Sequence, residues 1–347
     1  MKKISVIGHF AFGENLLNGQ TVKTKIVTEE LCRQLGEEQV MKIDTHGGFK
    51  NLIKAPFQVF TALRESKNVI IFPAHNGLRI YAPLLAFLKP FFRGRRIHYA
   101  VIGAWLGEFI KSRRLLLKCL KSFDGIYAET DTLKRSLEKS GLTNVKVVPN
   151  CKQLNILESE ALQGVAVPPL RLCTFSRVMK EKGIQTAAEV VEKVNKELGF
   201  TAYTLDIFGQ IESGQEEWFV NLREKLPDFI SYQGFVDADR SVEVLKDYFA
   251  LLFPTHFYTE GIPGTVIDAY AAGVPVISAK WQSYGDVIDE GITGMGYDFD
   301  SIGQLEELLL KIADKPEIIT SMKQACLNKA RQYTPETAVR IITENLG

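Results

Sequence analysis

The chain has 347 residues, enough for two domains of ordinary size, and its 46% apolar and 24% charged content describes packed cores rather than a disordered or fibrous chain. Five cysteines, odd in number and without metal-ligand spacing (Cys32, Cys119, Cys151, Cys173, Cys326), argue against a disulfide framework and for a reduced, cytoplasmic setting. The net charge of +1 hides an asymmetry: residues 1–165 hold 25 Lys and Arg against 14 Asp and Glu, the remainder 17 against 27, so the first half suits an anionic surface or partner.

The opening, Met1-Lys-Lys-Ile-Ser-Val-Ile-Gly8, has a charged tip but an apolar run too short for a signal peptide, and no apolar stretch reaches the ~20 residues of a membrane span. Residues 3–8 read as a buried strand, followed by a loop carrying Gly13 and Gly19 and a helix over 22–35. Strand, glycine loop and helix form the phosphate-facing opening of a doubly wound sheet. The loop lacks GxGxxG and no acid follows where a ribose would be held, which disfavours a nicotinamide site.

Residues 69–72 and 97–103 are further strands, each ending in a loop of small residues that carries His75 and Asn76 in one case and Trp105 in the other. Loops at the carboxyl ends of parallel strands are where such sheets bind ligands. His98, inside a strand, reads as a core histidine. Residues 85–96 and 109–121 concentrate basic charge among apolar neighbours. The second segment is an amphipathic helix that suits either an anionic membrane or a core with a solvated basic face. Nothing there resembles a nucleic-acid-reading helix or stacking platform. Residues 124–137 give a strand, a capped turn and a helix, and 144–150 the last strand of the first domain, ending in Pro149-Asn150.

A linker over 159–169 leads to a strand whose end delivers Arg177, then Lys182-Gly183 and a helix over 184–198. A guanidinium and an ammonium at the mouth of a helix N-terminus can neutralise a diphosphate. Strands over 204–209 and 230–236 follow. The apolar run 248–254 is a buried strand whose loop carries Glu260, and a helix starts near Gly264-Thr265 with Thr265 as N-cap. Its free N–H groups suit an anion, and Asp268 lies one turn in, so both carboxylates can meet sugar hydroxyls. Residues 273–278 close that helix and open another strand. Helices over 301–313, 316–333 and 334–346 complete the chain.

Glu260-Gly261-x-Pro263 with Ala269-x-Ala271-x-Gly273-x-Pro275-Val276-Ile277 resembles the EGxPxxxxEAxAxGxPVI signature of retaining GT-B glycosyltransferases (family 4-like, group 1). Asp268 stands where that pattern has Glu, a carboxylate one methylene shorter. The resemblance implies an α/β fold of two Rossmann-like, doubly wound parallel-sheet domains facing a central cleft. Residues 1–165 would bind the acceptor, 166–330 the nucleotide-sugar donor, and 331–347 would cross back to the first domain as a helix.

The resemblance further implies transfer of a sugar from a nucleotide diphosphate-sugar, its co-substrate, to a glycan or polyprenyl-linked acceptor in capsular or other surface polysaccharide biosynthesis, with no metal or cofactor. Glu260, Arg177 and Lys182 would be catalytic. Gly19, Gln20, Gly209, Phe235, Val236, Gly261, Ile262, Pro263, Gly264, Thr265 and Asp268 would bind the donor. His75, Asn76, Trp105 and Asn150 would face the acceptor. Many relatives carry a histidine where Gly103 stands, so no catalytic histidine carries over to that point. The basic first domain adds peripheral contact with an anionic membrane, on the cytoplasmic side. A nucleotide-sugar epimerase and a non-catalytic partner subunit of the same architecture are the rival readings; product from donor alone would mark the first, loss of the charged residues the second.

Overall fold

The computed structural model describes residues 1–14, 19–48, 53–162 and 166–347. Parts of the glycine loop (15–18) and of the expected linker (163–165) lie outside them. Two compact units emerge, Met1–Gln153 with Tyr333–Gly347, and Leu154–Gln332. The division falls ahead of the 159–169 linker. Leu157 N–H donates to Ala271 O at 2.8 Å, and Leu162 closes on Gly273, where a Cβ would meet its Cδ2 at 2.4 Å, so this segment packs with the second unit.

In the first unit β1 (Lys2–Gly8), β2 (Val40–Asp44), β3 (Ser66–Ile71), β4 (Arg96–Ala100), β5 (Gly125–Ala128) and β6 (Val145–Val147) form one parallel sheet, in the order β2-β1-β3-β4-β5-β6. Parallel strands need crossovers that cover both faces, so successive side chains are apolar on both sides. Ile7, Val69, Ile71 and Tyr99 join one core with residues of the helices Ala55–Glu65 and His75–Leu88; Ile4, Val6, Ile70 and Tyr127 join the other, with the helices Gly19–Leu35 and Pro335–Thr343.

The last of these helices opens on Thr334, whose hydroxyl accepts from Thr337 N–H at 3.4 Å, with Pro335 in its first turn. Val339 and Ile342 are fully buried, each worth ~1.5–3 kcal/mol, and this ties the C-terminal segment to the first unit.

The basic segment 109–121 contributes to two short helices, Leu106–Lys111 and Arg114–Lys121. Ile110, Leu116 and Leu120 are core residues, and the second helix packs on His75–Leu88. The buried part of that amphipathic pattern thus serves the core, while Leu115 stays 70% exposed. Among the described residues no helix is long and apolar enough to cross one.

In the second unit β7 (Leu170–Phe175), β8 (Tyr203–Phe208), β9 (Ile230–Gly234), β10 (Ala250–Phe253), β11 (Val276–Lys280) and β12 (Gly294–Asp298) pair in parallel, in the order β12-β11-β10-β7-β8-β9. Val190, Val191 and Val194 of the helix Ile184–Leu198 pack in its core with Leu205, Ile207, Leu305 and Leu309. The single helix expected over 316–333 is broken into Glu317–Thr320, Lys323–Ala330 and a 3-10 turn. Between the first two, Ser321 Oγ donates to Ile318 O at 3.0 Å and Thr320 Oγ1 to Glu317 O at 3.4 Å, hydroxyls competing with the backbone ladder.

Candidate active site

In the second sheet β7 lies between β8 and β10, so the chain leaves the first strand of the unit in one direction and returns on its other side at β10. A reversal of this kind opens a crevice outside the carboxyl ends of the two strands, where open α/β sheets bind ligands. The loops after β7 and β10 carry Arg177, Lys182 and Glu260.

Arg177 is half-exposed, and its Nη1 donates to Glu212 Oε2 at 2.7 Å. A short parallel bridge holds the two segments in place, with Val178 N–H donating to Gln210 O and Glu212 N–H to Val178 O. Gly209 makes this approach possible. Its φ is 137°, and a Cβ there would stand 1.7 Å from Ser176 O. Gly209 N–H donates to Gly234 O at 2.8 Å, which brings the loop of Phe235 and Val236 beside it; Phe235 is 49% exposed.

Lys182 Nζ donates to Glu260 Oε1, and the two side chains are only 13% and 16% exposed. The ammonium also sits over the rings of Phe257 and Phe253, 5.0 and 5.5 Å from their centroids. Gly183, with φ 71°, seats this loop against β10: a Cβ would meet Pro254 O at 1.9 Å. The buried Thr255 hydroxyl accepts from Phe257 N–H at 3.1 Å and reaches Glu260 Oε1 at 3.5 Å, while His256 N–H donates to Glu181 O. Glu260 is thus held from both loops.

The helix Gly264–Ala271 starts one residue before the expected cap. Pro263, in extended backbone, occupies the cap position, and its carbonyl accepts from Val266 and Ile267 N–H; no side chain caps the helix. Thr265 therefore lies inside the first turn, its Oγ1 buried and with no hydrogen-bond partner among the described residues. Gly261, Ile262 and Pro263 are buried, and Asp268, one turn in, is 4% exposed. An uncapped helix start with an orphaned hydroxyl fits an anionic or hydroxylated ligand.

In the first unit the assigned residues fall in the loops and helix starts that follow strands. Gly19 is the exposed first residue of its helix, and Gln20 Nε2 donates to Phe72 O at 3.4 Å. His75 and Asn76 open the helix His75–Leu88, both exposed. The His75 ring stacks on Trp105, 3.9 Å between centroids, with Phe109 edge-on and the Arg113 guanidinium over Phe109. Burial, then Arg113, holds the His75 pKa below its ordinary value. This ledge offers an aromatic face to a ligand ring. Asn150 Oδ1 accepts from Cys151 N–H at 3.0 Å, a local turn contact.

Sequence reasoning missed two arrangements. One is the Arg177–Glu212 pair. The other is a chain of contacts in which Thr21 Oγ1 lies 2.7 Å from His9 Nδ1, His9 Nε2 3.1 Å from His46 Nδ1, and His46 Nε2 3.0 Å from Glu14 Oε1. Beside it, burial would raise the Asp44 pKa, but N–H groups of His46, Phe12, Phe10 and Ala11 hold it below the usual range. Arg177 and Glu212 stand 35 residues apart in sequence and His9 and His46 stand 37 apart, so only the fold reveals these contacts.

Residues 163–333 match the sequence profile of glycosyl transferases group 1. Over 214 residues the chain is 22% identical to the amylovoran biosynthesis glycosyltransferase AmsK of Erwinia amylovora, covering 60% of this chain and 51% of that protein. It thus spans about half the length of this curated relative. The structure of Anabaena Alr3699/HepE in complex with UDP is similar at TM-score 0.75 and 14% identity, covering 100% of this chain and 99% of that one. The apo lipopolysaccharide outer core galactosyltransferase WaaB is similar at TM-score 0.73 and 15% identity, covering 99% and 98%. The chain has the GT-B fold, and over residues 163–333 it carries a group 1 glycosyl transferase domain.

Proposed function

We propose that this chain is a retaining glycosyltransferase that moves a sugar from a nucleotide diphosphate-sugar to a glycan or lipid-linked glycan acceptor in surface polysaccharide assembly. The observation that carries the reading is the largely buried Lys182–Glu260 pair at the sheet's reversal point, with Arg177 delivered to the same strand ends. Negative charge develops on the leaving diphosphate in the transition state, and fixed cations placed there lower the barrier. A diphosphate beside Lys182 draws the ammonium toward its oxygens and frees Glu260 to accept hydrogen bonds from sugar hydroxyls. Arg177 exchanges Glu212 for phosphate in the same way, and its planar fork suits two oxygens at once.

The helix start at Gly261 to Thr265 offers N–H groups and the Thr265 hydroxyl to sugar or phosphate, and Asp268 serves the ribose hydroxyls. The leaving phosphate takes the acceptor proton, and charge neutralisation is assigned to the protein's own cations rather than to a metal. The His75–Trp105 ledge of the first unit is the acceptor-side surface. Structures of Anabaena Alr3699/HepE with UDP and glucose, and with UDP-glucose, make a uridine nucleotide the first donor to try. The amylovoran role of AmsK supports polysaccharide as the product class.

Radiolabelled UDP-glucose should pass its sugar to a lipid-linked glycan acceptor with anomeric configuration kept, read by NMR, and EDTA should leave the rate unchanged. Glu260→Gln should lower kcat by about 10²–10³-fold without unfolding the chain. Full turnover in that variant removes the site assignment, and product formed from donor alone points to an epimerase.

A further inference from the structure

Four of the large apolar side chains left at the surface of the first unit are phenylalanines on two neighbouring helical segments. Phe57 and Phe60, one turn apart on the helix Ala55–Glu65, are 74% and 45% exposed; Phe87 and Phe91, one turn apart across the end of His75–Leu88 and the turn Lys89–Phe91, are 68% and 73% exposed. One ring contact joins the first helix to the turn after the second, Phe60 meeting Phe92 edge-on at 5.5 Å, and within the second segment Phe87 lies 6.1 Å from Phe91. A cluster of exposed aromatic rings of this kind marks an interaction site.

The charge around it is mostly positive, with Asp124 taken up by Lys89, whose Nζ donates to Asp124 Oδ2 at 2.7 Å. Residues 45–107 hold nine Lys and Arg and a single acid, Glu65, which is paired with Arg64. Lys89, Pro90, Phe92, Arg93, Gly94 and Arg95 line an open concavity next to Phe91. Arg95 is braced there by its Nε donating to Leu63 O at 2.9 Å. The basic helix singled out by sequence, Arg114–Lys121, buries Leu116 and Leu120 in the core and leaves only Leu115 largely exposed, at 70%, so the larger apolar surface is here.

We infer that this edge docks on an anionic phospholipid membrane: Phe57, Phe60, Phe87 and Phe91 enter the boundary between headgroups and acyl chains, and Arg93 and Arg95 hold lipid phosphates in the concavity. Apolar rings flanked by cations bind such a surface by burial and by attraction together. The charge complementarity selects anionic lipid over a second copy of the chain, whose matching edge would carry the same positive sign. The inference deepens the lipid-linked acceptor reading and rests on it for its purpose.

The test is flotation of the full chain with vesicles of phosphatidylglycerol and phosphatidylcholine, against phosphatidylcholine alone, at low and high salt. The wild type should float with the anionic vesicles only, and Phe87→Ser with Phe91→Ser should weaken binding by at least about tenfold, as should Arg93→Glu. In Phe91→Trp, tryptophan emission should shift to the blue when anionic vesicles are added. UDP affinity in solution should be unchanged in all of these variants, so the docking surface and the donor site fail separately. Absence of flotation, flotation indifferent to the phenylalanines, or a dimer that the same changes dissolve would overturn the inference. Flotation that persists in a protein unable to transfer sugar would overturn the transferase reading alone.

Discussion

Lys182 and Glu260 stand 78 residues apart in sequence, yet each is the other's partner, which makes the pair the most informative residue-level feature of the molecule. The charges themselves were readable, since cations after one strand and a carboxylate after another sit where parallel sheets bind ligands. The pairing was not, because it depends on β10 returning beside β7. Thr265 shows the opposite failure: a hydroxyl next to a helix start reads as a cap, but Pro263 takes that position through its backbone alone. His98 was legible as a core residue, and it makes stability sensitive to pH. It is fully buried, its Nδ1 is 3.0 Å from Tyr127 Oη, and burial pushes its pKa down to about 4. The unfolded chain takes up a proton near its ordinary value of 6.5 while the folded chain does not. Stability is therefore lost as pH falls from 6.5 toward 4, by about 3 kcal/mol in all from this group. Urea unfolding across that window should show this slope reduced in His98→Gln; an unchanged slope would assign the effect to other groups.

At the scale of elements, long apolar strands and the helix Ile184–Leu198 were legible because burial on both faces writes continuous apolar runs and a helix period into the sequence. β2 and β12 escaped notice for a physical reason. Each is an edge strand of its sheet, and one reads Val-Met-Lys-Ile-Asp with charges interleaved, the other Gly-Met-Gly-Tyr-Asp with two glycines. Junctions between elements matter more to the site than strand interiors. At the end of β8, Gly209 combines a positive φ with backbone of Ser176 that a Cβ would strike, and the same junction aims Arg177. Gly209→Ala should cost about 2 kcal/mol or more, read as a lowered urea midpoint, and should weaken nucleotide binding as the Arg177 loop shifts. Unchanged stability would mean that the loops are less tightly seated than the distances indicate.

For the whole molecule, charge asymmetry and length pointed to two halves with different tasks, and each half forms a six-stranded parallel sheet with its own core. The chain's last segment joins the first unit's core through Val339 and Ile342, a link that amphipathic spacing alone could not assign to a partner. The central claim concerns the second unit: its reversal point, with Arg177, Lys182 and Glu260, receives a nucleotide diphosphate. The most direct measurement is a calorimetric titration of UDP into the full chain and into Arg177→Ala and Lys182→Ala. The account expects saturable binding to the wild type, weakened in each variant by about tenfold to a hundredfold, the loss of one charge-assisted contact to phosphate. Equal affinity in all three proteins would contradict it and move the nucleotide away from these strand ends.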